Sequence, residues 1–175
     1  MHNFSNRPKF TIRQLATAGL IAAVYASLTL FLPIPPFDAV QLRLAEAMTV
    51  LPFLFPEAVL GLTVGCFLVN LMSPFLLDCV FGTLATLLAA LWTSKVKHIW
   101  LAPLPPVICN GLIVGAEIAW FAVQQGEQAA FLPAWGMTAL SVGLEEGLVC
   151  FGLGLPLLCF LRRSPAFRAR IAVKN

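Results

Sequence analysis

The chain has 175 residues, 59% of them hydrophobic and only 11% charged, with a mean hydropathy of +0.89 and a formal charge of +3. A soluble domain carries about 25% charged residues, so this composition excludes a soluble enzyme, a secreted fold and a disordered chain, and it describes an integral membrane protein. Charge placement says more than its sum: Arg7, Lys9 and Arg13, then Lys95 and Lys97, then Arg162, Arg163, Arg168, Arg170 and Lys174 form three clusters, with Arg43 alone outside them. Each cluster abuts a long apolar run, as cytoplasmic loops do under the positive-inside bias, and not as a nucleic-acid-binding surface does.

A span needs about 20 apolar residues, and proline, glycine and charge divide the sequence into six candidates. The first runs from Ile12 to Leu32 and stops at Pro33, Pro35 and Pro36. No small-residue cleavage site follows it, so it reads as a retained span and not a signal peptide. The second, Gln41 to Phe55, is short and closed by Pro56; the third covers Glu57 to Met72 and the fourth Phe75 to Ser94. His98 to Pro105, near Trp92 and Trp100, reads as an interfacial segment leading into the fifth span, Pro106 to Gln124. The sixth, Pro133 to Leu161, is longer than needed and is expected to kink near Pro156. The expected fold is all-α: one polytopic membrane domain over residues 1–175, a bundle of six transmembrane helices with short polar tails at 1–10 and 164–175. An even count puts both termini on one side, and a cytoplasmic placement gathers ten of the eleven cations there.

Small residues let membrane helices approach closely. Three GxxxG pairs, Gly61 and Gly65, Gly111 and Gly115, Gly143 and Gly147, are read as packing stripes within the chain. Ala18, Ala22 and Ala26, with Gly19, Ala23 and Ser27 alongside, form a smooth face on the first span that suits either a neighbouring helix or another membrane subunit.

Charged groups inside a span face a protein interior or a water-filled cavity. Asn110, Glu117 and Gln124 recur every seven residues on a stripe roughly opposite Gly111 and Gly115, flanked by Trp120 and Phe121, so this stripe is expected to face a cavity, with a polar zipper to a neighbouring helix as the alternative. Glu145 falls near mid-membrane, pointing away from the glycine stripe into the same cavity, whereas Glu146 lies beside the stripe and is expected to support a helix contact. Arg43 and Glu46, three apart, suit an ion pair, either bridging structurally or touching a substrate. Asp78 opens the fourth span where an acid suits a helix N-terminus, and Asn70 ends the third on the same side. Together these describe an outward-facing cup lined by acids, amides and aromatics, with no polar path to the inner face. The five cysteines lack CxxC or histidine spacing and read as small buried hydrophobes, with no metal site. No GxxxxGK[ST], HExxH or GxSxG motif occurs, so a binding subunit that depends on a partner to move its ligand fits better than an enzyme. An intramembrane enzyme using Glu145 and Glu146 and a structural scaffold are the alternatives from other classes.

The blocks QLRLAEAMTVLP, Gln41 to Pro52, and DCVFGTLATLLAA, Asp78 to Ala90, set in a six-span layout over Ile12 to Arg163, resemble the substrate-binding S-components of energy-coupling factor transporters, specifically the QueT family for queuosine precursors. The resemblance implies a 7-deazaguanine ligand such as preQ0, preQ1 or queuine, a bacterial cell membrane location, and no cofactor in this chain. It also implies a membrane coupling subunit that contacts Ala18, Ala22 and Ala26, and two cytoplasmic ATPases that use the ATP; S-components of this architecture are thought to topple in the membrane, carrying the loaded cup inward. An S-component for another vitamin-like or purine compound remains a reading within the same class. For a 7-deazaguanine, Glu145 or Glu117 is expected to read the guanine edge, with Asp78 or Glu46 near an amine. Asn70, Asn110 or Gln41 would donate to the ring carbonyl, and Trp120 or Trp135 would stack on the ring.

Overall fold

The computed structural model describes residues 11–31, 43–73 and 76–165. Among these the chain is all-helical, without strands: α1 (Ile12–Phe31), a 3-10 segment (Leu44–Phe53), α2 (Glu57–Asn70), α3 (Asp78–Thr93), a 3-10 turn (Ile99–Leu101), α4 (Leu104–Gln124), α5 (Phe131–Val149), a π turn (Cys150–Gly154) and α6 (Leu155–Arg163). Among the described residues three stretches are long and apolar enough to cross a membrane, Ile12–Phe31, Ile99–Gln124 and Phe131–Arg163; the other apolar helices there are shorter. The bundle has the polarity expected in lipid. On α5, Leu140, Leu144 and Leu148 are exposed on the outside while Glu146 is buried.

The expected second span is not an α-helix. Pro52 lies inside the segment, where an α-helix would lose the bond to the carbonyl four residues back and clash with it. The backbone winds more tightly instead, and ten residues at about 2.0 Å each reach roughly 20 Å, against about 15 Å in an α-helix. The segment is buried almost throughout, from Ala45 to Pro52. Its Val50, Met48 and Leu51 form a core with Tyr25 of α1, Leu62 and Val69 of α2, Cys150 of the π turn and Leu158 of α6.

Small residues set the helix contacts. A Cβ added at Gly61 would lie 2.6 Å from the Ala18 carbonyl oxygen, and one at Gly65 2.9 Å from that of Ala22, so α1 and α2 meet backbone to backbone. Of the two neighbours that this face suits, α2 takes Ala18 and Ala22, which are 3% and 5% exposed and covered by it. Ala26 is half-buried against the core. The small residues that α1 leaves open are Ala16, Gly19, Ala23 and Ser27. Across the bundle, a Cβ at Gly115 would meet the Ala139 Cα at 2.7 Å and one at Gly111 the Ala139 carbonyl at 3.1 Å. Two polar bonds lock the same α4–α5 pair, Trp135 Nε1 donating to the Leu112 carbonyl at 3.0 Å and Thr138 Oγ1 to that of Gly115 at 2.7 Å.

The disturbance expected at Pro156 falls just before it. The proline removes one donor and crowds the preceding turn, and the chain widens into the π turn Cys150–Gly154 ahead of α6. Gly154 sits there against the 3-10 segment, 3.1 Å from both the Ala47 carbonyl and Val50 Cγ1 as measured from a Cβ built on it.

Candidate functional site

A polar cavity lies where the 3-10 segment, α2, α3, α4 and α5 converge, lined by Arg43, Glu46, Cys66, Gly82, Thr86, Asn110, Val114, Ile118, Val142, Glu145 and Glu146. Its free space is about 50 Å³, room for a few waters at ~10–15 Å³ each. Three carboxylates against one guanidinium make it an acceptor-rich site.

The tight winding of the 3-10 segment places residues three apart on the same side, which sets Glu46 over Arg43, and the two interact electrostatically. Glu46 Oε1 also accepts a hydrogen bond of 2.5 Å from the Tyr25 hydroxyl, while Oε2 has no hydrogen-bond partner among the described residues. Glu146, 7% exposed, is the deeply buried acid of α5. It interacts with the Asn110 side chain and accepts a weak bond of 3.5 Å from the Cys150 thiol. Glu145 also lines the cavity but is only half-buried, its Oε1 accepting from Ser141 Oγ at 3.2 Å. The expected division of labour is therefore corrected: both acids face the cavity, and Glu146, assigned to a helix contact, is the more enclosed.

Asn110 and Glu117, expected on one wall, are separated. An α-helix drifts about 20° per heptad, and on α4 that drift falls on a boundary. Asn110, Val114 and Ile118 face the polar cavity, whereas Ile113, Ala116, Glu117 and Trp120 face a second, apolar hollow of about 640 Å³. Leu77 and Phe81 of α3 and Phe131 and Trp135 of α5 complete that hollow. Trp120 meets Phe131 edge-on at 6.5 Å, and Phe131 stacks on Trp135 at 6.0 Å. Neither tryptophan lines the polar cavity, whose apolar lining is Val114, Ile118 and Val142. Gln124 is exposed at the end of α4.

Asn70 and Asp78 lie outside both linings. Asn70, fully buried, donates from Nδ2 to the Asp78 carbonyl at 3.0 Å and to Cys66 Sγ at 3.3 Å, clamping the α2–α3 connection. Asp78 accepts from the Ser73 hydroxyl and stands beside Glu117. Gln41 lies outside the described residues. Sequence reasoning missed Tyr25, Cys66, Thr86 and Cys150. Tyr25 carried a usable signal: it is the chain's single tyrosine, it lies mid-span on the alanine-rich helix, and a buried phenol needs a partner.

A family model described as QueT transporter matches residues 15–163 of the chain. No curated protein and no solved structure matches it.

Proposed function

The chain belongs to the QueT transporter family, and on that premise we propose that it is the substrate-binding subunit of an energy-coupling factor importer that captures a queuosine precursor, a 7-deazaguanine such as preQ0, preQ1 or queuine. The observation that carries this reading is the set Arg43, Glu46, Asn110 and Glu146 around one cavity, the last three buried and Arg43 half-buried, with Glu46 Oε2 left without a hydrogen bond among the described residues. A guanine-like edge presents two adjacent N–H donors, which one carboxylate accepts side by side. Glu46 or Glu146 supplies that carboxylate, and Arg43 or Asn110 donates to the ring carbonyl. Such a guest is larger than the enclosed space, so binding displaces water and widens the cavity. Glu145, the least buried of the three acids, is the wall that gives.

In this reading the 3-10 segment and the five longer helical stretches make six crossings, both termini lie in the cytoplasm with the basic clusters, and the site opens outward in a bacterial cell membrane. A membrane coupling subunit and two cytoplasmic ATPases supply the energy, and this chain holds no cofactor. Because α2 covers Ala18 and Ala22, a coupling subunit docking on α1 would meet Gly19, Ala23 and Ser27.

Calorimetric titration of the purified chain with preQ0, preQ1 and queuine tests the ligand. One of the three is expected to bind at one site per chain, at least tenfold more weakly to both Glu146→Gln and Glu46→Gln. No binding of any of the three to the folded wild type, or unchanged affinity in both variants, overturns it. Co-purification of the tagged chain with a membrane protein and ATPases tests the partners.

A further inference from the structure

We infer that the apolar hollow between α3, α4 and α5 is a second binding site, for a hydrophobic organic cation, with the Glu117 carboxylate as counter-ion and Trp120, Phe131 and Trp135 as its wall. The inference does not rest on the ligand proposed for the polar cavity.

The first observation is Glu117 itself. It is 6% exposed and lines the hollow, and the side chain that hydrogen-bonds with it is another acid, the Asp78 carboxyl; none of the hollow's other lining residues donates to it. An isolated carboxylate removed from water costs several kcal/mol, and an acid within a membrane protein marks a ligand or ion path by default. Arg43, the cation nearest the bundle centre, lines the other cavity, where it acts on Glu46 and Glu146, and its charge is also felt at Glu117 although it does not line the hollow. Asp78 and Glu117, hydrogen-bonded acid to acid, share one proton and carry one negative charge between them, so the local field still favours a positive guest.

The second observation is the wall. At about 640 Å³ the hollow falls within the ~300–1,000 Å³ of small-molecule sites. Its surface is apolar and aromatic, the environment that recognises an ammonium through ring faces. Trp135 has already committed its N–H to the Leu112 carbonyl, so it offers ring and not a donor, and Trp120 and Phe131 flank it. A single carboxylate set among aromatic rings selects an amine or quaternary ammonium with an apolar body. It disfavours anions and polar heterocycles, which the polar cavity suits better.

The probe is benzyltrimethylammonium, whose charge does not titrate, with neopentylbenzene as the uncharged analogue of matched shape. Equilibrium dialysis against the full chain in detergent micelles gives stoichiometry, and tryptophan fluorescence reports occupancy near Trp120 and Trp135. Saturable binding of one cation per chain is expected, at least tenfold weaker in Glu117→Gln, unchanged within twofold in Glu146→Gln, and not displaced by neopentylbenzene. Equal affinity of wild type and Glu117→Gln, loss of binding in Glu146→Gln, or the absence of saturable binding overturns the inference. Should Glu117→Gln not fold, wild type decides: displacement of the cation by the neutral analogue at comparable concentration overturns it, and failure to displace supports it. A chain that binds the cation but none of the 7-deazaguanines supports the second site while removing the proposed substrate, and the reverse pattern does the opposite.

Discussion

Replacing Tyr25 with Phe removes one oxygen and almost nothing else, because the ring is wholly enclosed and keeps its packing. What disappears is the 2.5 Å hydrogen bond to Glu46 Oε1, on a carboxylate whose other oxygen already lacks such a partner among the described residues. Hydrogen bonds to charged groups contribute about 1.5–3 kcal/mol, whereas side-chain bonds inside membrane proteins average only ~0.6 kcal/mol, reaching ~1.7. The short contact and the burial of both partners place this one at the top of the membrane range, about 1.5 kcal/mol. Melting temperatures of a chain this size move by about 2–4 °C per kcal/mol, so Tyr25→Phe is expected to melt roughly 3–6 °C lower, followed by thermal unfolding in micelles. A double-mutant cycle with Glu46→Gln isolates the pair: the two losses should fall short of additivity by more than about 0.5 kcal/mol, the scatter of independent sites. Additivity within that margin would refute the view that α1 holds the cavity acid in place. If Glu46 reads the ligand, Tyr25→Phe also weakens binding about tenfold, since ~1.4 kcal/mol is a factor of ten.

Gly61→Ala is expected to destabilise by about 1–3 kcal/mol through forced separation of α1 and α2, because its Cβ would sit 2.6 Å from the Ala18 carbonyl. Gly19→Ala, with nothing within 4 Å, should be neutral or slightly stabilising, and parallel melting curves separate the two. Trp135→Phe removes the bond to the Leu112 carbonyl and should cost about 0.5–1.5 kcal/mol, read as lower resistance to denaturation. Timed maleimide labelling of the folded chain should modify Cys79, Cys109 and Cys159 well before the buried Cys66 and Cys150; rapid labelling of Cys150 would refute the packing of the π turn onto the 3-10 segment.

Helix existence and extent were legible in the sequence because apolar runs end at prolines and charges: α1, α2, α3 and the long run of α5 through α6 begin and stop within about three residues of those signals. The 3-10 winding of Leu44–Phe53 was not legible. LAEAMTV carries good helix formers, and the geometry is set by Pro52 together with the demand that the whole segment be buried among four helices, which no local pattern records. The alanines of α1 misled for a related reason. A small face invites a close neighbour, but the sequence does not say whether that neighbour is α2 or another protein, and the complementary glycines Gly61 and Gly65 were read only as a stripe of their own.

The error over Glu146 shows what a helical wheel leaves out. Ala139 and Glu146 are seven residues apart, so they project within about 20° of one another. At Ala139 that direction meets Gly111 and Gly115 of α4 with no room for a side chain, whereas two turns deeper it opens onto the polar cavity. A wheel collapses depth, and one stripe can serve as a contact at one level and as a cavity wall at another. Charge resolves the ambiguity where periodicity cannot. A glutamate on a packing stripe in hydrocarbon is tolerable only where it meets polar groups or a cavity, so the acid itself marks the depth at which the α4–α5 contact, here through Asn110, borders the polar cavity. By the same reasoning Glu117 marks a second hollow, on the other side of α4, which its heptad spacing from Asn110 does not separate from the first.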